Sequence, residues 1–127
     1  QTTEEWMPEG GFEWKDGYEA FRRLHSTGQL PEVIFTVNDR VALGAYKAAK
    51  EAGFTIPDDI GIFGFGFHEI TDFLDPRLTV INQDPRKLGL SAMKQLLDEI
   101  DGNSPNGSEV VIEEEFLFRN SVQKNSL

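Results

Sequence analysis

Asn38 is the residue best placed to do chemistry. It ends the run Val33-Ile34-Phe35-Thr36-Val37 and precedes Asp39 and the Ala-rich stretch from Arg40 to Ala52. A continuous apolar, β-branched run reads as a buried parallel strand. The apolar spacing then changes from strand-like to helical, so Asn38 stands at a strand-to-helix turn. Ligands of open α/β sheets gather at the carboxyl ends of strands, and a side-chain amide both donates and accepts hydrogen bonds. That chemistry is recognition of a polar small molecule. The same residue type also caps turns with its own backbone, so both roles are open at this point. Asp39 is expected to be the N-cap of the following helix.

Catalytic chemistry has little to work with. The sequence shows no nucleophile–base pair, no supported pair of carboxylates, no GxGxxG and no P-loop. Two His and no Cys leave no ligand spacing for a metal, and His68 is expected at the surface. We therefore expect no catalytic residues, no metal and no cofactor. An α/β enzyme is a third class of reading, and it would need an acid–base pair facing one cleft.

The net charge of −10, from 12 basic and 22 acidic residues, opposes nucleic-acid binding by these residues themselves. No apolar run approaches the roughly 20 residues that span a bilayer, and no basic segment leads into an apolar one as in a signal peptide. No membrane partner is expected, and the absence of Cys suits a reducing cytoplasm. The 127 residues match one domain.

The elements that must position Asn38 follow from the spacing. Thr2–Met7 has the character of a short strand, and Gly10-Gly11 that of a loop. Trp14, Tyr18, Phe21 and Leu24 make one apolar stripe of a helix over 14–27, with Trp14 in the core and Gly28 as its stop. Strand 32–37 leads to helix 40–52, which Gly53 ends. Strand 60–65 is followed by a loop over 66–75 with one helical turn. Strand 78–83 runs into Asp84-Pro85, a strong helix start, and helix 85–101 carries a core face of Leu88, Ala92, Met93, Leu96 and Ile100. Val110, Ile112, Phe116 and Phe118 lie on one face of a last strand, and Glu113-Glu114-Glu115 is solvated. The polar residues 120–127 are expected to fray. Strands alternating with helices predict an α/β fold, a mostly parallel sheet with helices on both faces.

PEVIFTVNDRVALGAYKAAKEAGFTIPDDIGIFGFGF at 31–67 resembles the core of the LacI/GalR bacterial transcription regulators. DPRLTVINQDPRKLGLSAMKQLLDEIDG at 75–102 resembles that family's next segment, and the likeness extends in order over about residues 8–121. It implies an incomplete lobe of the periplasmic binding protein-like type I fold, the C-terminal portion of an effector-binding domain. On that likeness, 1–83 and 109–119 form the C-terminal lobe, and 84–102 is a helix that in the family packs on the other lobe. The family's DNA-binding domain has no counterpart here. The resemblance implies a regulator that couples a sugar-like, small-molecule effector to DNA binding through a domain outside this chain. It acts in the cytoplasm as a homodimer, with a swap through helix 85–101 as one route. The alternative is a periplasmic sugar or solute-binding protein.

By the same likeness, Asn38 meets effector hydroxyls, Phe12 offers a ring face to the sugar, and Gln83 lies at a crossover between lobes. Phe12 closing the lobe's core is the competing reading. The sequence departs from the family at Phe65-Gly66-Phe67, where relatives carry an acidic or polar side chain. A hydroxyl left unpaired in a dry cleft costs about 1–3 kcal/mol. Phe65, Phe67 and Phe12 therefore point to a more apolar or aromatic effector, or to one met through backbone N–H groups at Gly66; Phe67 filling core, with His68 or Glu69 supplying the polarity, is the competing reading.

Overall fold

The computed structural model describes residues 6–66, 69–103 and 109–123. Helix α1 (Trp14–Ser26) opens with a capping box in which Glu13 and Asp16 satisfy each other's backbone N–H groups. Strand β1 (Val33–Thr36) leads into α2 (Asp39–Glu51), and β2 (Gly61–Phe65) follows. A single 3-10 turn, Glu69–Asp72, precedes β3 (Thr79–Asn82), α3 (Pro85–Ile100) and β4 (Glu115–Leu117). Gly28 and Gly53 end α1 and α2 with positive φ, as their positions in the sequence predict.

The four strands lie in the order β1-β2-β3-β4. The first three are parallel, and β4 is antiparallel to β3, with Val80 opposite Leu117. The α/β fold with a mostly parallel sheet is as expected. Successive strand side chains face opposite ways. Ile62 and Val80 are therefore buried beneath α2, while Phe35 is exposed and stacks beside Phe63. The core joins those strand residues to Ala42, Ala45, Tyr46, Ala48 and Ala49 of α2 and Phe21 of α1. Burial pushes the Tyr46 phenol up to about 12, so it stays protonated and donates to the Pro76 carbonyl.

The run of Ala in α2 permits close approach, and two glycines bring it to the limit. A Cβ at Gly17 would stand 2.0 Å from the Val41 carbonyl oxygen, and one at Gly44 would stand 1.8 Å from that of Trp14. α1 and α2 therefore touch backbone to backbone at their N-terminal halves. This holds the start of α1, and Phe12 just before it, against the start of α2.

Several expectations need correction. Trp14, read as core, is 44% exposed: it opens α1 and borders a surface hollow beside Leu43 and Ile70 instead of entering the core. Trp6 and Met7 are not in a strand; the rest of the expected strand Thr2–Met7 lies outside the described residues, as does His68. The last strand is three residues long, and Val110 and Val111 are exposed. Its partner β3 is itself only four residues long, so the alternating pattern has no further ladder to join.

The polar tail is not frayed at its start: Ser121 and Val122 are buried. The Ser121 hydroxyl donates to the Ile62 carbonyl (2.5 Å) and accepts from the Thr79 N–H (2.8 Å), and its carbonyl accepts from the Ile62 N–H (2.9 Å). It completes the pairing of β2 and β3 where they part. Finally, Asp84 caps α3 as expected, and the face of Leu88, Ala92, Met93, Leu96 and Ile100 has no cover, in keeping with a helix whose partner in the family is another lobe. None of the residues of α3 is buried.

Gly17→Ala and Gly44→Ala should each lower the unfolding free energy by about 2 kcal/mol or more, since overpacking against backbone cannot relax. Gly89→Ala in α3, where nothing lies within 4 Å, should instead stabilise by up to about 1 kcal/mol. Urea denaturation of the three variants checks both signs.

Candidate ligand site

The carboxyl ends of β1, β2 and β3 lie together, and the residues singled out in the sequence gather there. Asn38, not Asp39, is the N-cap of α2. Its Oδ1 accepts from the Val41 N–H (2.8 Å), while its Nδ2 donates to the Phe12 carbonyl (3.0 Å). The extended φ of Asn38 leaves its side chain free to turn back on the helix, whereas Asp39 already has helical backbone. One N–H and one lone pair of the amide stay available for a ligand. Asn38 thus caps its own helix and also tethers Phe12 across 26 residues of chain.

Phe12 is 65% exposed, so it does not close the core. Its ring borders an apolar hollow of about 450 Å³ that runs along β1 past Phe35 and Val37 to Phe21 and Leu24. Asn38 does not line that hollow. It follows the edge of β1, which pairs only with β2 among the described residues. A second hollow, about 490 Å³, lies on the flank of α2 between Trp14, Leu43 and Ile70. Arg40 spans its rim to Glu13 at 3.0 Å.

Phe65 closes β2 and is half-buried; Phe67 lies outside the described residues. Gly66 has φ +136°, a conformation that disfavours any side chain. Its N–H donates to the Ile81 carbonyl at 3.0 Å, so it is not free for a ligand as the sequence suggested. Asp39, 8% exposed, faces it: a Cβ at Gly66 would stand 3.5 Å from Asp39 Oδ2. Gln83, half-buried, follows β3 at the same end of the sheet.

The sequence reading missed Arg119. Its guanidinium joins Asp72 (2.7 Å) and donates to Thr71 Oγ1 (3.1 Å) and the Leu78 carbonyl (3.2 Å). The available signal was one Arg set directly after the apolar pattern of a last strand. The arrangement as a whole can bind and orient a small molecule. Among the described residues no three His, Cys, Asp or Glu side chains converge to hold a metal, and no described helix is long and apolar enough to cross a membrane.

Residues 1–122 match the model of the periplasmic binding protein-like domain. The chain belongs to that family. The HTH-type transcriptional repressor PurR of Mannheimia succiniciproducens is 37% identical over 120 residues. That alignment takes in 94% of this chain but 36% of the repressor, so the chain spans about a third of its relative. Among solved structures, the lac repressor dimer bound to operator and the anti-inducer ONPF superposes with a TM-score of 0.85 at 28% identity. The match covers 90% of this chain and 40% of that one. A LacI family regulator from Enterococcus faecium with bound ribose gives 0.78 at 29% identity, over 89% and 41% of the two chains. These relatives make the chain part of a LacI-type effector-binding domain, and the curated ones are transcriptional repressors rather than enzymes.

Asn38→Ala removes the cap and the tether together and should cost about 1–2 kcal/mol. Asn38→Asp keeps the cap acceptor but sets a carboxylate oxygen against the Phe12 carbonyl in place of the N–H, so it reads the tether alone, at a cost of about 1 kcal/mol. Thermal denaturation of the two variants separates cap from tether.

Proposed function

We propose that this chain is the effector-binding part of a bacterial transcription regulator, whose DNA contacts are made by a domain outside it. The observation that carries this is the pairing of Asn38 with Phe12 at the strand ends of a LacI-type fold. A small molecule, sugar-like in presenting hydroxyls and an apolar face, meets the free amide valences of Asn38 and the exposed ring of Phe12. Phe65, Gly66 and Gln83 complete the wall. Binding favours one arrangement of two lobes over another, and that difference in affinity is what distant DNA-binding helices feel. The repressor relatives favour this reading over a transport protein. On this reading the protein works in the cytoplasm as a homodimer; the lac repressor, whose fold it shares, is described as a dimer.

The test is a thermal-shift screen of the full-length protein against sugars, sugar phosphates and purines. One class should raise the midpoint by several degrees, a stabilisation of about 2.7 kcal/mol at a hundred times Kd. Asn38→Ala should abolish the shift; an unchanged shift removes Asn38 from the site.

The uncovered face of α3 carries a second expectation. At about 25 cal/mol per Å², exposing such a stripe costs several kcal/mol. Residues 1–127 expressed alone should therefore associate through helix 85–101, by pairing or by a swap. Light scattering that shows a monomer at every concentration overturns this.

A further inference from the structure

The segment between β2 and β3 leaves the sheet at Gly66, forms the 3-10 turn Glu69–Asp72 and rejoins at Thr79. A cleft of about 70 Å³ lies between its turn and the strand, lined by Gly66, Glu69, Val80, Asn82, Leu117 and Arg119. Tyr46 and Lys50 of α2 hold its Pro76 and Asp75 carbonyls, and two further pins fix its start and its turn. One pin is the bond from the Gly66 N–H to the Ile81 carbonyl. The other is Arg119, whose side chain is 20% exposed and joins three groups at once: Asp72, Thr71 and the Leu78 carbonyl. Its own N–H donates to Thr79 Oγ1 at 3.0 Å, which fixes the arginine to β3.

We propose that Arg119 is a positioning residue for the effector: by holding the Glu69–Asp72 turn, it sets where Gly66 stands beside Asp39 and Asn38. This rests on the strand ends being the effector site. The planar guanidinium is what the geometry demands, because one rigid fork reaches a carboxylate, a hydroxyl and a carbonyl together. A lysine has a single nitrogen and cannot span all three. Arg119 also stands two residues beyond β4, the strand that returns from α3. The turn is thus referred to the β3–β4 pair into which α3 is spliced, while α2, which carries Asn38, holds the same segment further along, at Asp75 and Pro76.

The experiment uses the full-length protein, with calorimetric titration of ribose, ribose 5-phosphate and hypoxanthine, and hydrogen exchange of the amides at 69–72. Arg119→Met should weaken the probe that binds by about tenfold or more, the loss expected for bonds to a charged group. It should also speed exchange at 69–72 while leaving α2 unchanged. Arg119→Lys should recover only part of the affinity. Asp72→Asn keeps the arginine folded in place and should weaken binding by about threefold; it carries the test if Arg119→Met does not fold. Affinity within twofold of wild type in both variants, with faster exchange, overturns the positioning role, and unchanged exchange overturns the pin itself. If Phe12→Ala and Asn38→Ala also leave binding intact, the site reading falls instead, and Arg119 with it.

Discussion

Two backbone contacts between α1 and α2 govern the rest of the molecule. Gly17 lies on the Val41 carbonyl and Gly44 on that of Trp14, closer than any side chain permits. Ridges of side chains normally keep helices 8–10 Å apart. Here the ridge is missing, and the N-terminal halves of both helices meet directly. The start of α1 is thereby brought within reach of the start of α2, and the Asn38–Phe12 and Arg40–Glu13 bonds follow from that proximity. Without the glycines, Phe12 would ride about a side chain further out, beyond a 3.0 Å bond. A packing constraint inside the lobe thus reaches the candidate site with no intermediary but helix backbone.

The same constraint divides the candidate site into parts of different stiffness. Asn38 and Phe12 are locked by helix capping and by the glycine contact. Gly66 and the turn after it are held by two pins over a small cleft.

Most of the fold was legible in the sequence because its signals are local. Gly28, Gly53 and Asp84-Pro85 punctuate helices by their own φ preferences, and β1 and β2 are continuous apolar runs. The exchange of roles at Asn38 and Asp39 was not legible. Both residue types cap helices well, and only the extended backbone at 38 decides between them. Arg119 and Ser121 were missed for a different reason. Each is a polar residue near the chain end whose partners lie 40 to 59 residues away, and no periodicity records that. Phe12 was legible as a candidate but its exposure was not, since it depends on the course of β1's edge. The face of α3 was read as apolar and, on the family likeness, as lacking its partner within this chain, and no residue of α3 is buried.

Ser121 has a consequence for how the protein is made. Synthesis runs from the N-terminus, and Ser121 bonds Ile62 and Thr79, 59 and 42 residues earlier. At about 5–20 residues per second, β2 waits several seconds on the ribosome before its last partner exists. Through that interval the Ile62 carbonyl and the Thr79 N–H lack the hydroxyl that joins them. Ser121 is therefore a clasp that shuts across two strands made well before it.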